Sequence, residues 1–213
     1  MIVLAGTIGA GKTSLTQLLA DHLGTKAYFE SVDDNPILPL FYKDPQKYGF
    51  LLQIYFLNRR LEEIKAASLQ KLSVLDRSIF EDDLMFRMNA DLGRATETEA
   101  DIYASLLKNM MEKLPNQQTE KKPDLLIHIQ VSFPTMLERI KKRGRAYEQI
   151  ETDPALYNYY QELNHRYTSW YDQYQESPKM LINGDQYNFV EDPKAAQTVL
   201  EMIDEKLSAL NLK

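Results

Sequence analysis

The 213-residue chain has no cysteine. That excludes a disulfide framework and a thiolate metal site. No apolar run approaches the ~20 residues that a membrane-spanning helix needs. Basic residues are outnumbered, 25 Lys and Arg against 31 Asp and Glu, for a net charge of −6. This balance argues against a nucleic-acid polymer as partner, because phosphate backbones are gripped by an excess of Lys and Arg. The three histidines, His22, His128 and His165, are scattered without metal-ligand spacing. The first apolar run begins at Met1 or Ile2, so no signal or transit peptide is expected. With 44% hydrophobic and 26% charged residues, the expectation is one globular domain, 1–213, in the cytoplasm and away from membranes.

Glycine is scarce too, yet three of the eight fall close together, at Gly6, Gly9 and Gly11. They belong to Gly6-Thr7-Ile8-Gly9-Ala10-Gly11-Lys12-Thr13-Ser14. The apolar run Ile2–Ala5 before this stretch reads as a buried strand, and Leu15, Leu18, Leu19 and Leu23 after it form a helical stripe. Strand, glycine loop and helix together are the context in which G-x-x-x-x-G-K-[ST] binds phosphate. Backbone N–H groups converge on phosphate oxygens, and the helix N-terminus adds partial positive charge. Lys12 is placed to reach the terminal phosphates and the Thr13 hydroxyl to hold Mg²⁺. The stretch predicts a nucleoside triphosphate site with Mg²⁺ beside it.

Four more short apolar runs follow: Ala27–Phe29, Val74–Leu75, Leu125–Val131 and Met180–Ile182. Helical patterns separate them, at about 48–69, 80–92, 97–114, 134–143, 157–175 and 193–210. The turn-like stretches 33–36 and 42–45 and the polar loop 116–122 interrupt the pattern. The alternation predicts an α/β fold with a five-stranded parallel sheet flanked by helices. Ligands of such sheets sit beyond the carboxyl ends of the strands, which directs attention to the glycine loop, Glu30 and Asp76-Arg77-Ser78.

A carboxylate at Glu30 is placed to accept a proton from a hydroxyl attacking a γ-phosphate, or it is a solvated turn residue. Asp76 offers oxygens to Mg²⁺, and Arg77 offers a fork to Glu30 or to phosphate. The alternative there is a structural Asp–Arg pair with Ser78 capping a helix. Arg139, Arg143 and Arg145 close on Gly144 with two lysines between them, more cations than a helix C-terminus requires. They predict a small arginine-rich lid, about 139–149, that folds over the phosphates. Gln53 and Arg60 share one helix face, and Asp82 and Phe86 share another. Together they suit a planar, polar ligand such as a base.

These motifs occur in the order found in the deoxyribonucleoside kinases, and the chain most resembles their bacterial deoxyadenosine/deoxyguanosine branch. The resemblance is carried by Gly6–Ser14, Glu30-Ser31-Val32-Asp33-Asp34-Asn35-Pro36, Phe41-Tyr42-Lys43-Asp44-Pro45, Gln53, 76–82 and 139–149, and it extends to the loop around Asp185. It implies a P-loop kinase that moves the γ-phosphoryl of ATP to a deoxynucleoside 5′-hydroxyl in nucleotide salvage. Deoxyadenosine is the first expectation, with deoxyguanosine and deoxycytidine as the other acceptors. The implied catalytic residues are Glu30 as general base, Arg77 to position it, and Lys12. Tyr42 and Glu148 are implied to bind the sugar 3′-hydroxyl. Gln53, Arg60 and Asp82 are implied to read the base, with Phe86 against its face. The glycine loop, the lid arginines and Asp185 fall to ATP, and Thr13 and Asp76 to Mg²⁺. Many relatives carry Glu where this chain has Asp76. Relatives are commonly dimers, so a homodimer or a pair with a paralogous subunit is implied. Two other readings of the glycine loop compete. A nucleoside monophosphate kinase of the thymidylate kinase type needs a basic acceptor site, and a GTPase-like switch needs the Asn-Lys-x-Asp and Asp-x-x-Gly motifs, which are absent.

Overall fold

A computed structural model of the chain describes residues 1–30, 34–112 and 122–213. Residues 31–33 of the Glu30–Pro36 motif, residues 113–114 of the expected 97–114 helix and most of the 116–122 loop lie outside the described residues. The strands are β1 (Ile2–Ala5), β2 (Ala27–Tyr28), β3 (Val74–Asp76), β4 (Leu125–Gln130) and β5 (Lys179–Asn183). They form one five-stranded sheet in the order β2-β3-β1-β4-β5, and every pairing is parallel. The helices are α1 (Lys12–Leu23), α2 (Leu38–Lys43), α3 (Pro45–Ala67), α4 (Phe80–Asp91), α5 (Glu97–Met111), α6 (Phe133–Arg143), α7 (Ala155–Gln173) and α8 (Pro193–Ala209).

The continuous apolar runs are what a sheet covered on both faces requires. Alternate residues of β1 serve opposite faces, as the period of two dictates. Ile2 and Leu4 pack into a core with Leu15, Leu19, Leu163, Val199 and Ile203. Met1 and Val3 pack into the other, with Leu57, Leu61, Ile64 and Tyr103. With β1 central, the loop after it is flanked by the ends of β3 and β4.

Two expectations change. The chain around 33–45 holds a helix, α2, where only turns were expected. Six residues are too few to show a helical period, and the start is set by Asn35, whose Oδ1 accepts from the N–H groups of Ile37 and Leu38. Pro45 is likewise not a stop. It is the first residue of α3, where its fixed φ suits a helix start, and the Asp44 side chain accepts from Lys47 N–H.

Candidate active site

The glycine loop leaves β1 in a conformation only glycine tolerates. At Gly6 φ is +146°, and a Cβ there would lie 2.6 Å from the Ile129 carbonyl oxygen. Gly11, at φ +98°, faces the Phe189 ring, which a Cβ would approach to 3.1 Å. Lys12 opens α1 and bends its ammonium back to the carbonyls of Gly6 and Thr7, at 2.7 and 2.9 Å. Burial, aided by Arg77, lowers its pKa to about 8, against the pull of Glu81, Asp76 and Glu30. An anion in the loop would offset that burial.

Thr13, exposed at the mouth of the loop, donates its hydroxyl to Asp76 Oδ2 at 2.5 Å. The other Asp76 oxygen, Oδ1, is buried with no hydrogen-bond partner. Burial pushes the Asp76 carboxyl upward in spite of Lys12. A hydroxyl and a carboxylate with an unsatisfied oxygen make a hard-oxygen donor set of the kind Mg²⁺ uses.

Glu30 lies just past β2, and two guanidiniums reach the same oxygen of it. Arg60 Nη2 from α3 is 2.8 Å away, and Arg77 Nε from the end of β3 is 2.9 Å away. Burial would raise the Glu30 pKa, but Arg77, Arg60 and Lys12 outweigh it and hold it at about 2. Arg60 also donates from Nε to Asp82 Oδ2 at 2.6 Å. The Asp82 carboxyl is pushed up to about 6 by burial, with Arg60 opposing. Arg77 itself has φ +91°, a left-handed backbone that is unusual for a side-chain-bearing residue and recurs at functional sites. Its amide stays tied to the sheet by a 3.0 Å bond to the Leu4 carbonyl.

Gln53 is buried on the α3 face that carries Arg60. Phe86, one turn after Asp82, is wholly enclosed, with its ring 6.0 Å from Phe50 and 5.1 Å from Tyr103. Tyr42 of α2 meets Tyr147 of the 139–149 segment, ring centroids 4.9 Å apart. Burial and the neighbouring Tyr160, Tyr159 and Glu148 raise the Tyr42 pKa well above its ordinary value.

The arginine-rich segment differs from an open basic flap. Glu148 is buried, its carbonyl accepts from Tyr160 OH at 3.0 Å, and its carboxylate gathers Arg143 at 2.5 Å and Arg145 at 3.6 Å. Arg139 is committed to backbone: it donates to the Ala10 carbonyl at 3.1 Å and the Gly184 carbonyl at 2.8 Å. It thereby props the glycine loop against the turn after β5. Asp185, in that turn, accepts from Ser132 N–H at 3.0 Å. A cleft of about 670 Å³ between α4, α5 and α7, lined by Phe80, Leu107, Trp170 and Tyr174, contains none of these groups.

One buried carboxylate escaped the sequence reading. Glu81 accepts from Gly6 N–H at 3.0 Å, from Ser78 N–H at 2.6 Å and from Tyr167 OH at 2.6 Å. The spacing Ser78-x-x-Glu81 is that of a helix capping box, which signals the Ser78 contact. Nothing local signals the other two.

The pattern describing the family "Deoxynucleoside kinase" matches residues 2–208. The chain belongs to the deoxynucleoside kinase family. It is 58% identical over 207 residues to a deoxyadenosine kinase of Lactobacillus acidophilus, covering 97% of this chain and 96% of that protein. A deoxyguanosine kinase of the same organism is 56% identical over 207 residues, covering 97% and 90%. Among solved structures, deoxyadenosine kinase from M. mycoides with bound dATP superimposes with a TM-score of 0.78 at 30% identity, over 97% of this chain and 98% of that one. The same protein with the products dCMP and a flexible dCDP gives 0.79 at 29%, over 98% of each. The kinase is thus an enzyme that transfers a phosphoryl group to a deoxynucleoside, built on the P-loop kinase fold.

Proposed function

We propose that this kinase phosphorylates the 5′-hydroxyl of a purine deoxynucleoside, deoxyadenosine first, with ATP as donor. The observation that carries the reading is the ionised Glu30, held by Arg60 and Arg77 at the sheet edge where Lys12, Thr13 and Asp76 also gather. The purine relatives support the choice of base.

In this reading the nucleoside lies between α3 and α4. Gln53, Arg60 and Asp82 meet the base edge, Phe86 packs behind it, and Tyr42 and Glu148 take the sugar 3′-hydroxyl. Glu30 accepts the 5′-hydroxyl proton while Arg77 fixes the carboxylate and the attacking oxygen. The backbone of 6–14 holds the phosphates and Lys12 neutralises them, while Arg143 and Arg145 turn from Glu148 toward the transferred group. Arg139 and Asp185 shape the ATP side through the backbone they brace. Thr13 and Asp76 would hold Mg²⁺, which supplies charge neutralisation on the donor phosphates. Phosphoryl transfer asks mainly for such positioning and charge, and exclusion of water protects against hydrolysis.

Assembly as a homodimer or with a paralogous subunit is part of the proposal, and mass measurement in solution tests it. Among the described residues no helix is long and apolar enough to cross a membrane, and a cytoplasmic setting suits salvage of free nucleosides. Incubation with ATP, Mg²⁺ and a panel of deoxynucleosides tests the whole reading. Deoxynucleoside monophosphate, formed fastest from deoxyadenosine, is the expected product. Faster turnover of deoxycytidine or thymidine would overturn the purine assignment.

A further inference from the structure

Glu81 has no solvent-exposed surface and no place in the roles above, yet it is the most heavily hydrogen-bonded carboxylate near the site. A helix cap accounts for one oxygen only, Oε2, which takes the Ser78 N–H. The other, Oε1, is shared by Gly6 at the start of the glycine loop and by Tyr167 of α7. The Tyr167 hydroxyl has a single proton and donates it to Glu81, so its lone pair is free to accept from Arg77 Nη1 at 3.2 Å. Arg77 Nη1 is itself 3.7 Å from Glu81 Oε1. The tyrosine ring is fixed by His128 of β4, stacked on it at 5.7 Å and 10°.

We infer that Glu81 and Tyr167 are positioning residues that lock the start of the phosphate loop to Arg77, so that the donor and acceptor sites are aligned as one unit. The inference rests on the reading of Glu30 and Arg77 as the acceptor centre. Three elements, the ends of β1 and β3 and the face of α7, meet on one buried carboxylate. The left-handed backbone at Arg77 needs such a surround, because an unfavourable φ persists only where neighbouring contacts over-determine it. A buried carboxylate serves better here than an amide. It accepts at both oxygens, and its charge adds to those of Glu30 and Asp76 in offsetting Arg77, Arg60 and Lys12.

The test is Tyr167→Phe, which keeps the ring and its stack on His128 and deletes one hydroxyl. The measurements are kcat, KM for ATP and for the preferred nucleoside, and the factor by which a saturating non-hydrolysable ATP analogue changes nucleoside Kd. The expected result is a fall in kcat of about tenfold or more, the scale of a small misplacement of reacting groups. Both KM values should stay within about threefold, and the coupling factor should move toward one. Glu81→Gln should shift the same quantities in the same direction, and the double variant should be no worse than the stronger single one. A folded Tyr167→Phe enzyme with unchanged kcat and unchanged coupling overturns the inference, whether or not Glu81→Gln folds. The coupling factor is read by binding alone, so it stays measurable in Glu30→Gln. Full turnover in Glu30→Gln would sink the acceptor-centre reading, whereas unchanged kcat and coupling in Tyr167→Phe would sink only the positioning role.

Discussion

Arg60 Nη2 lies 2.8 Å from the Glu30 carboxylate while its Nε lies 2.6 Å from Asp82, so one guanidinium joins the proposed base to a proposed base-reading residue. Against the cost of burial, Arg77 first and then Arg60 keep Glu30 ionised far below neutral pH. A carboxylate this acidic is a weak proton acceptor at rest. Its value lies in being always charged and aimed.

Glu30→Gln should therefore lower kcat by roughly 10²–10⁴, the usual share of general-base catalysis, with nucleoside Kd little changed. Steady-state kinetics beside equilibrium binding decide the matter. A kcat within a few-fold of the parent would remove Glu30 from the proton transfer.

Asp76 Oδ1 is the buried oxygen without a partner beside Thr13. Asp76→Asn and Thr13→Ala should both raise the Mg²⁺ concentration needed for half-maximal rate, Asp76→Asn the more because it deletes the charge. Mg²⁺ titrations at fixed ATP provide the readout. Identical titration curves for parent and variants would assign the Asp76–Thr13 bond to structure alone.

Gln53→Leu, similar in size but unable to hydrogen-bond, should reduce kcat/KM for the preferred nucleoside about 5- to 150-fold. That is the range of a lost bidentate contact worth ~1–3 kcal/mol. The ATP KM should hold, since the proposed donor site is the glycine loop and not this helix face. Equal small losses for every nucleoside with a raised ATP KM would place Gln53 outside the acceptor pocket.

Arg143 and Arg145 are paired to a buried Glu148. Replacing both with Ala should impair phosphoryl transfer and also lower Tm by a few degrees. The stability loss arises because Glu148 is left buried and unpaired, moderated by the partial exposure of both arginines. Adding Glu148→Gln should recover Tm without recovering rate. Thermal melts and single-turnover assays on the two variants separate these effects, and recovery of both would make the arginines structural only.

His128 is buried, and that burial lowers its pKa to about 4 from an ordinary 6.5. The unfolded chain then takes up the proton first as pH falls, so stability is full above about 6.5 and is lost progressively down through about 4. The shift corresponds to a loss on the order of 3 kcal/mol. Two carboxyls raised by burial, Glu63 to about 7 and Asp82 to about 6, act with the opposite sign in an overlapping window. The comparison of parent with His128→Phe in denaturant melts between pH 7.5 and 4.5 isolates the histidine. A variant with the same pH slope as the parent would refute the assignment.

All five strands were legible because each is a short apolar run with a turn signal beside it, and Gly6–Ser14 announced the phosphate site outright. The grouping of Glu30 with Arg77 followed from the parallel-sheet rule that ligands sit beyond strand ends. Other features stayed hidden for physical reasons. α2 is shorter than the repeat that reveals a helix. The commitment of Arg139 to Ala10 and Gly184 depends on contacts between segments distant in sequence, and that of Glu148 to Arg143 on the backbone path between them, which residue types alone do not dictate. Glu81 illustrates the limit: its bond to Ser78 is written in a three-residue spacing, whereas its bond to Gly6 joins residues 75 apart in the chain.

Ile2 pairs with Val74 on one side and Leu125 on the other. The strand that launches the phosphate loop thus has no hydrogen-bonding neighbour nearby in the chain. During synthesis the loop is complete long before either flank of its strand exists. The apolar segment 2–5 meets α1 first, gains its β3 neighbour only once residue 74 has emerged, and its second neighbour only with β4. Topology of this kind, dominated by distant pairings, makes acquisition of the native state slow. It also makes the nascent chain, more than the finished enzyme, the form most in need of chaperone cover.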